Sequence, residues 1–244
     1  MDAWGEIAAI ALIALAAGVV HSAIGFGYGI VALTLVALVI DVRAAHVVVS
    51  VSSVPMLLMA AWAYRKGFER RSLLEAALGA VLFLPLGFYL FETVALHWLV
   101  RGTGLAIFSM VVWSLRDQGV LQNESSRKGS CFAAGAAAGF LGGAVSIAGP
   151  PIAAFALKQN WSQLRYKSFV TQCLLIIATY KAVILSARNF LVGDIVPQAA
   201  VAAVAAIIGV QLGVLLSSRI PAAGFKWLLA IALFSVAFWM MWSG

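Results

Sequence analysis

The chain has 244 residues, 64% of them hydrophobic and only 10% charged, with a mean hydropathy of +1.03. Soluble domains are about 45–50% apolar, so this composition excludes a soluble protein with an ordinary polar surface and fits a polytopic membrane protein. The net charge of +7 would point to nucleic acid in a soluble chain, but here the basic residues fall in short loops between apolar runs, where membrane topology accounts for them.

Polar punctuation divides the chain into apolar segments at roughly 4–40, 45–64, 72–91, 97–115, 129–157, 164–187, 195–217 and 223–243. The bilayer core takes about 20 apolar residues per helix, and six of these segments have that length. The opening run, MDAWGEIAAIALIALAAG, carries Asp2 and Glu6 where a signal peptide would be basic, so it is expected to be a retained first helix. The segments 4–40 and 129–157 are interrupted: the first by IGFGYGI (24–30), with Gly25, Gly27, Tyr28 and Gly29, the second by SIAGPPI (146–152), with Gly149, Pro150 and Pro151. Cys131 and Cys173 lie singly within apolar segments and are expected to be small buried residues.

The two interruptions belong to a repeat. At an offset of 121, Ala16, Ala17, Gly18 and Ala23 meet Ala137, Ala138, Gly139 and Ala144. At 122, Gly27, Ile30, Arg43 and Val48 meet Gly149, Ile152, Arg165 and Val170, and at 126 Trp113 meets Trp239. An ordered series with small gaps marks duplication. Orientation follows from the positive-inside rule. If each interrupted segment crossed once, the sixteen Lys and Arg residues would divide nine to seven. If each folds back as a hairpin, only Arg43, Arg101, Lys181 and Arg188 lie outside and the other twelve share the inner face. The expected fold is therefore all-α and polytopic, a single membrane domain over 1–244. It consists of two inverted repeats (about 1–118 and 129–244), each a broken helical hairpin plus three transmembrane helices, with both termini outside.

A broken helix in hydrocarbon leaves backbone groups unpaired, so it persists only where protein or a watery cavity satisfies them. Breaks at matching places in inverted repeats point to a transporter's midplane binding site. Proline suits a first helical turn, glycine admits a ligand to the backbone, and a half-helix N-terminus attracts an anion. The polar side chains nearby are the expected ligand contacts, since polar groups inside membrane segments are costly. They are His21, Ser22 and Tyr28 at the first break, Ser146 at the second, and Ser50, Ser52, Ser53, Thr171 and Gln172 on the helices that follow. Arg43 and Arg165 follow the two hairpins, placed either to guide an anion or to anchor the chain at the membrane face. Lys181, near the outer end of its helix, is expected to snorkel.

GFLGGAVSIAGPPIAAFAL followed by LRYKSF, together with GVVHSAIGFGYGIVAL in the first half, resembles the TauE/SafE family of membrane exporters over essentially the whole chain. The resemblance implies export of sulfite, of sulfonates such as sulfoacetate, or of another small anion. Where that family often carries Gly-Gly-Gly or Gly-Gly-Pro at the breaks, this chain has Gly-Tyr-Gly and Ala-Gly-Pro.

Every Asp and Glu lies within a few residues of a segment end, so no carboxylate relay or paired-aspartate protease site is expected at the membrane centre. No metal-ligand spacing, nucleotide loop or nucleophile elbow is present in the sequence. The expectation is a secondary transporter in the cell inner membrane, not an enzyme, without a cofactor. Its partners would be a small anion and the lipid bilayer, not nucleic acid, with a homodimer as the assembly to test. An anion channel and an exporter of another small organic anion remain open as alternatives.

Overall fold

The computed structural model describes residues 3–94, 124–159 and 161–217, with isolated positions at 98, 105, 108, 231, 235 and 238. The expected segments 97–115 and 223–243 and both chain ends lie outside the described residues. Among those described, the chain is helical throughout, with no strand. The helices are α1 (Ala3–Ile24), α2 (Tyr28–Val36), α3 (Val42–Ala63), α4 (Arg70–Thr93), α5 (Glu124–Val145), α6 (Gly149–Leu157), α7 (Gln163–Ala187) and α8 (Ile195–Ser217). A short 3-10 turn, Arg65–Gly67, joins α3 to α4.

Among the described residues, five helices are long and apolar enough to cross a membrane: α1, α3, α4, α7 and α8. At 1.5 Å per residue, the 22 residues of α3 reach about 33 Å. By contrast, α2 and α6 have nine residues each, about 13 Å, less than half a bilayer core. The apolar part of α5 is Gly129–Val145. Each interrupted segment is therefore one long helix joined to one half-length helix. The starts of α3 and α7 are fixed by side-chain caps: Asp41 accepts from Arg43 N and Ala44 N, and Ser162 accepts from Arg165 N. Pro55 and Pro85 lie inside α3 and α4 without ending them, as happens in membrane helices where neighbours re-satisfy the freed carbonyl.

Between lipid-solvated helices there is little hydrophobic drive to associate, so close backbone approach through small residues takes its place. Gly135, Gly139 and Gly143 of α5, spaced four apart, lie against the backbone of Ala76, Ala80 and Leu84 of α4. Gly209 and Gly213 of α8 lie in the same way against Leu15, Gly18 and Val19 of α1. Outer faces are apolar: Leu74, Leu78, Leu82 and Leu86 form an exposed row along α4, a surface suited to acyl chains. Inside, α3 packs on α7 and α8, and α7 also touches α4, α5 and α6. The two breaks thus lie within a bundle whose middle is crossed by α3 and α7.

Candidate functional site

In the first break, Gly25 and Gly27 have φ of 90° and 108°, conformations that L side chains rarely adopt, and α2 restarts at Tyr28. The second break differs in chemistry. There α5 ends with Ser146 N–H donating to Gly142 O (3.2 Å) and Ile147 N–H to Leu141 O (3.4 Å), a wide closure of the last turn around a left-handed residue. That ending needs a left-handed residue, a place usually taken by glycine, yet here Ser146 holds φ 58°. A strained serine in place of glycine is a reason to look for work done by its hydroxyl.

The breaks abut. Phe26, fully buried, joins the apolar cluster of α6 and α7 with Ile152 and Phe169. A Cβ on Gly149 would come within 2.8 Å of Phe26 Cβ, and one on Gly29 would meet the Ser146 carbonyl. Gly149, where a ligand was expected to approach the backbone, has Phe26 on one side and also borders a cavity. Beside this contact lies a cavity of about 70 Å³, room for a handful of waters or one small ion. Its rim takes in the start of α2 (Gly27, Tyr28, Gly29) and the start of α6 (Ala148, Gly149). Its polar side chains are His21, Ser50, Ser53, Ser146 and Lys181, with Met56, Leu57, Leu174 and Ile177 among the apolar walls.

A chain of directed bonds holds the polar side. Lys181 Nζ donates to Ser146 Oγ, Gly142 O and His46 Nε2, each at 2.7 Å. Ser146 and Ser50 share a bond of 2.9 Å, and Ser50 in turn donates to His46 O at 2.7 Å. The His46 ring is stacked on Phe91, centroids 4.0 Å apart and 12° from parallel, which fixes the plane in which its Nε2 faces the lysine. Neither half-helix start has a side-chain cap, so the orphan N–H groups of the first turn of α2 are not met by a capping side chain, while in α6 Pro150 and Pro151 have no N–H and leave those of Ala148 and Gly149. His21, 1% exposed, has no hydrogen-bond partner for its Nε2 in the cavity wall.

Of the residues expected from the sequence, His21, Gly27, Tyr28, Gly29, Ser50, Ser53, Ser146 and Gly149 border the cavity. The others are placed elsewhere. Ser52 stands one bond behind, 2.7 Å from Tyr28 Oη. Ser22 donates to Val210 O across the α1–α8 contact, Gly25 faces Tyr166 and Lys167, and Pro150 and Pro151 are buried in the first turn of α6. Thr171 is buried with its hydroxyl unpartnered, and Gln172 donates along its own helix to Ser168 at 2.7 Å. Arg165 is bound by Glu69 at the foot of α4 and lies over the Trp161 ring at 5.0 Å. Arg43 lies on the exposed first turn of α3.

Two groups escaped the sequence reading. Lys181 does not snorkel: it is 2% exposed and turned into the bundle. His46, fully buried, was not among the expected residues, although its place one turn before Ser50 put it on the same face of α3.

Helices of membrane-spanning length around two abutting helix breaks and a polar cavity define a multi-pass membrane protein of the transporter class. The chain belongs to the sulfite exporter TauE/SafE family, whose model matches residues 10–240. No curated protein and no solved structure matches the chain.

Proposed function

We propose that this protein carries a small sulfur oxyanion, sulfite or an organosulfonate such as sulfoacetate, out of the cell across the inner membrane, by transport and not by catalysis. The observation that carries this reading is the pair of uncapped half-helix starts bordering one small cavity. Each presents a partial positive charge of about half an elementary unit, and serine hydroxyls beside them supply the directed bonds an oxyanion needs. Membership of an exporter family supports the direction and the substrate class. The pairing of α1 with α8 and of α4 with α5 is what an exchange of two inverted repeats would produce. With the basic loops inside, both termini face outward.

Flux in proteoliposomes tests the proposal. Sulfite and sulfoacetate should compete for one saturable path, and taurine, which adds an ammonium group, should compete less well. Neutral solutes of similar size that compete equally would refute the anion site, and a high unitary conductance would mark a channel instead.

A further inference from the structure

Lys181 presents an imbalance that its hydrogen bonds do not remove. An ammonium has three N–H donors, and Gly142 O, Ser146 Oγ and His46 Nε2 accept one each. All three acceptors are neutral when the imidazole receives the bond at Nε2 and carries its proton on Nδ1, the tautomer that an ammonium beside it requires. The directional requirement of the ammonium is met while its charge is not, and a buried charge calls for an opposite one. The carbonyl end of α5 supplies part of that, since Gly142 lies in its last turn. Among the described residues no carboxylate is found to supply the rest. Among the described residues Glu6, Asp41, Glu69, Glu75, Glu92 and Asp194 lie in loops or toward helix ends, and none is a hydrogen-bond or ion-pair partner of Lys181. The cavity therefore has a lysine amine in its wall, serine hydroxyls next to it, and the unpartnered Nε2 of His21 on the α1 side.

We propose that Lys181 is the charge-selecting residue of this site. The sulfur-oxygen group of sulfite or of an organosulfonate is its missing counter-ion, and the ammonium gives up its bond to Ser146 or His46 to reach that ligand. His46, clamped by Phe91, is then a positioning residue that holds the ammonium in place while the site is empty. This inference rests on the anion-export reading and refines it: the fixed positive charge favours an anion over a neutral solute of the same shape.

The test compares methanesulfonate with methanesulfonamide, two solutes of nearly the same shape that differ in charge. Purified wild-type protein should bind the sulfonate at least tenfold more tightly than the sulfonamide. Lys181→Gln should bring the two affinities within about twofold, while Lys181→Arg, which keeps the charge, should retain the preference. A lysine that only braced the end of α5 would lower both affinities alike and leave their ratio unchanged, and that result would overturn the proposal. Should Lys181→Gln fail to fold, wild-type protein labelled with 15N at lysine Nζ, with the Lys181 signal assigned by Lys181→Arg, decides the matter. A signal that moves with methanesulfonate and not with the sulfonamide supports the counter-ion role, and one indifferent to both overturns it. Failure of the wider reading would look different: the wild type itself would carry neither sulfite nor sulfonate.

Discussion

The Phe26 ring, from the first helix break, fills the space in front of Gly149 at the start of α6, within 3.1 Å of where a Cβ would stand. The two halves of the chain are thus joined at their interruptions, and the cavity exists because the contact is tight on one side and open on the other.

Filling that contact should be costly. Gly149→Ala drives a methyl into Phe26, and overpacking of this kind costs about 1–3 kcal/mol, so the melting temperature in detergent should fall and sulfite flux should drop. Gly129→Ala is the control, because nothing lies within 4 Å of its Cβ position. Equal behaviour of the two variants would show that the Phe26 contact is of no consequence.

The left-handed positions predict separable effects on stability and binding. Gly27→Ala places a side chain at φ 108° and should destabilise by about 1–3 kcal/mol. Ser146→Ala and Ser146→Gly both remove the hydroxyl and should weaken anion binding to the same degree. The glycine variant should be the more stable by roughly 1 kcal/mol, since only it relieves the left-handed backbone. Calorimetry on the pair checks both halves of the statement; an alanine variant as stable as the glycine one would remove the strain argument.

Arg165 and Glu69 tie the start of α7 to the foot of α4, with 41% and 20% of their side chains exposed. Solvent screening limits such a pair to about 1 kcal/mol or less. A double-mutant cycle with Arg165→Gln and Glu69→Gln should return a coupling of that size. If Arg165 also led anions inward, Arg165→Gln would slow flux where Glu69→Gln did not, and the two variants should therefore be assayed side by side.

Orientation can be read with single cysteines placed after Cys131 and Cys173 are replaced. Lys66 and Asp194 are both exposed in loops between helices. An impermeant thiol reagent on whole cells should label position 194 and spare position 66. The reverse pattern would invert the proposed topology.

Much of this was open to a reader of the sequence alone. Pro, Gly and charge punctuation located α3, α4, α7 and α8 to within three residues, because a bilayer imposes a length that few sequences satisfy by accident. Ser146 and His21 were found because they flank breaks, and a break is a local property of the chain; Ser50 was found as a polar residue inside a membrane segment. Lys181 was not, since a lysine one and a half turns from a helix end can turn to either side, and the choice is made by α3 and α5, which reach it from distant parts of the chain. The packing partner of Gly149 was hidden for the same reason: its neighbour Phe26 is more than a hundred residues away.

One helix grips both interruptions. Lys167 Nζ donates to Ser22 O in the last turn of α1 at 2.8 Å, and Lys181 Nζ makes the corresponding bond to Gly142 O in the last turn of α5. The two lysines stand fourteen residues apart on α7, close to four turns, so they share a face and are separated by about 21 Å. A rod that clasps two hinges does not move at one without straining the other. The last turns of α1 and α5, from opposite halves of the chain, are thus held to a single piece of backbone.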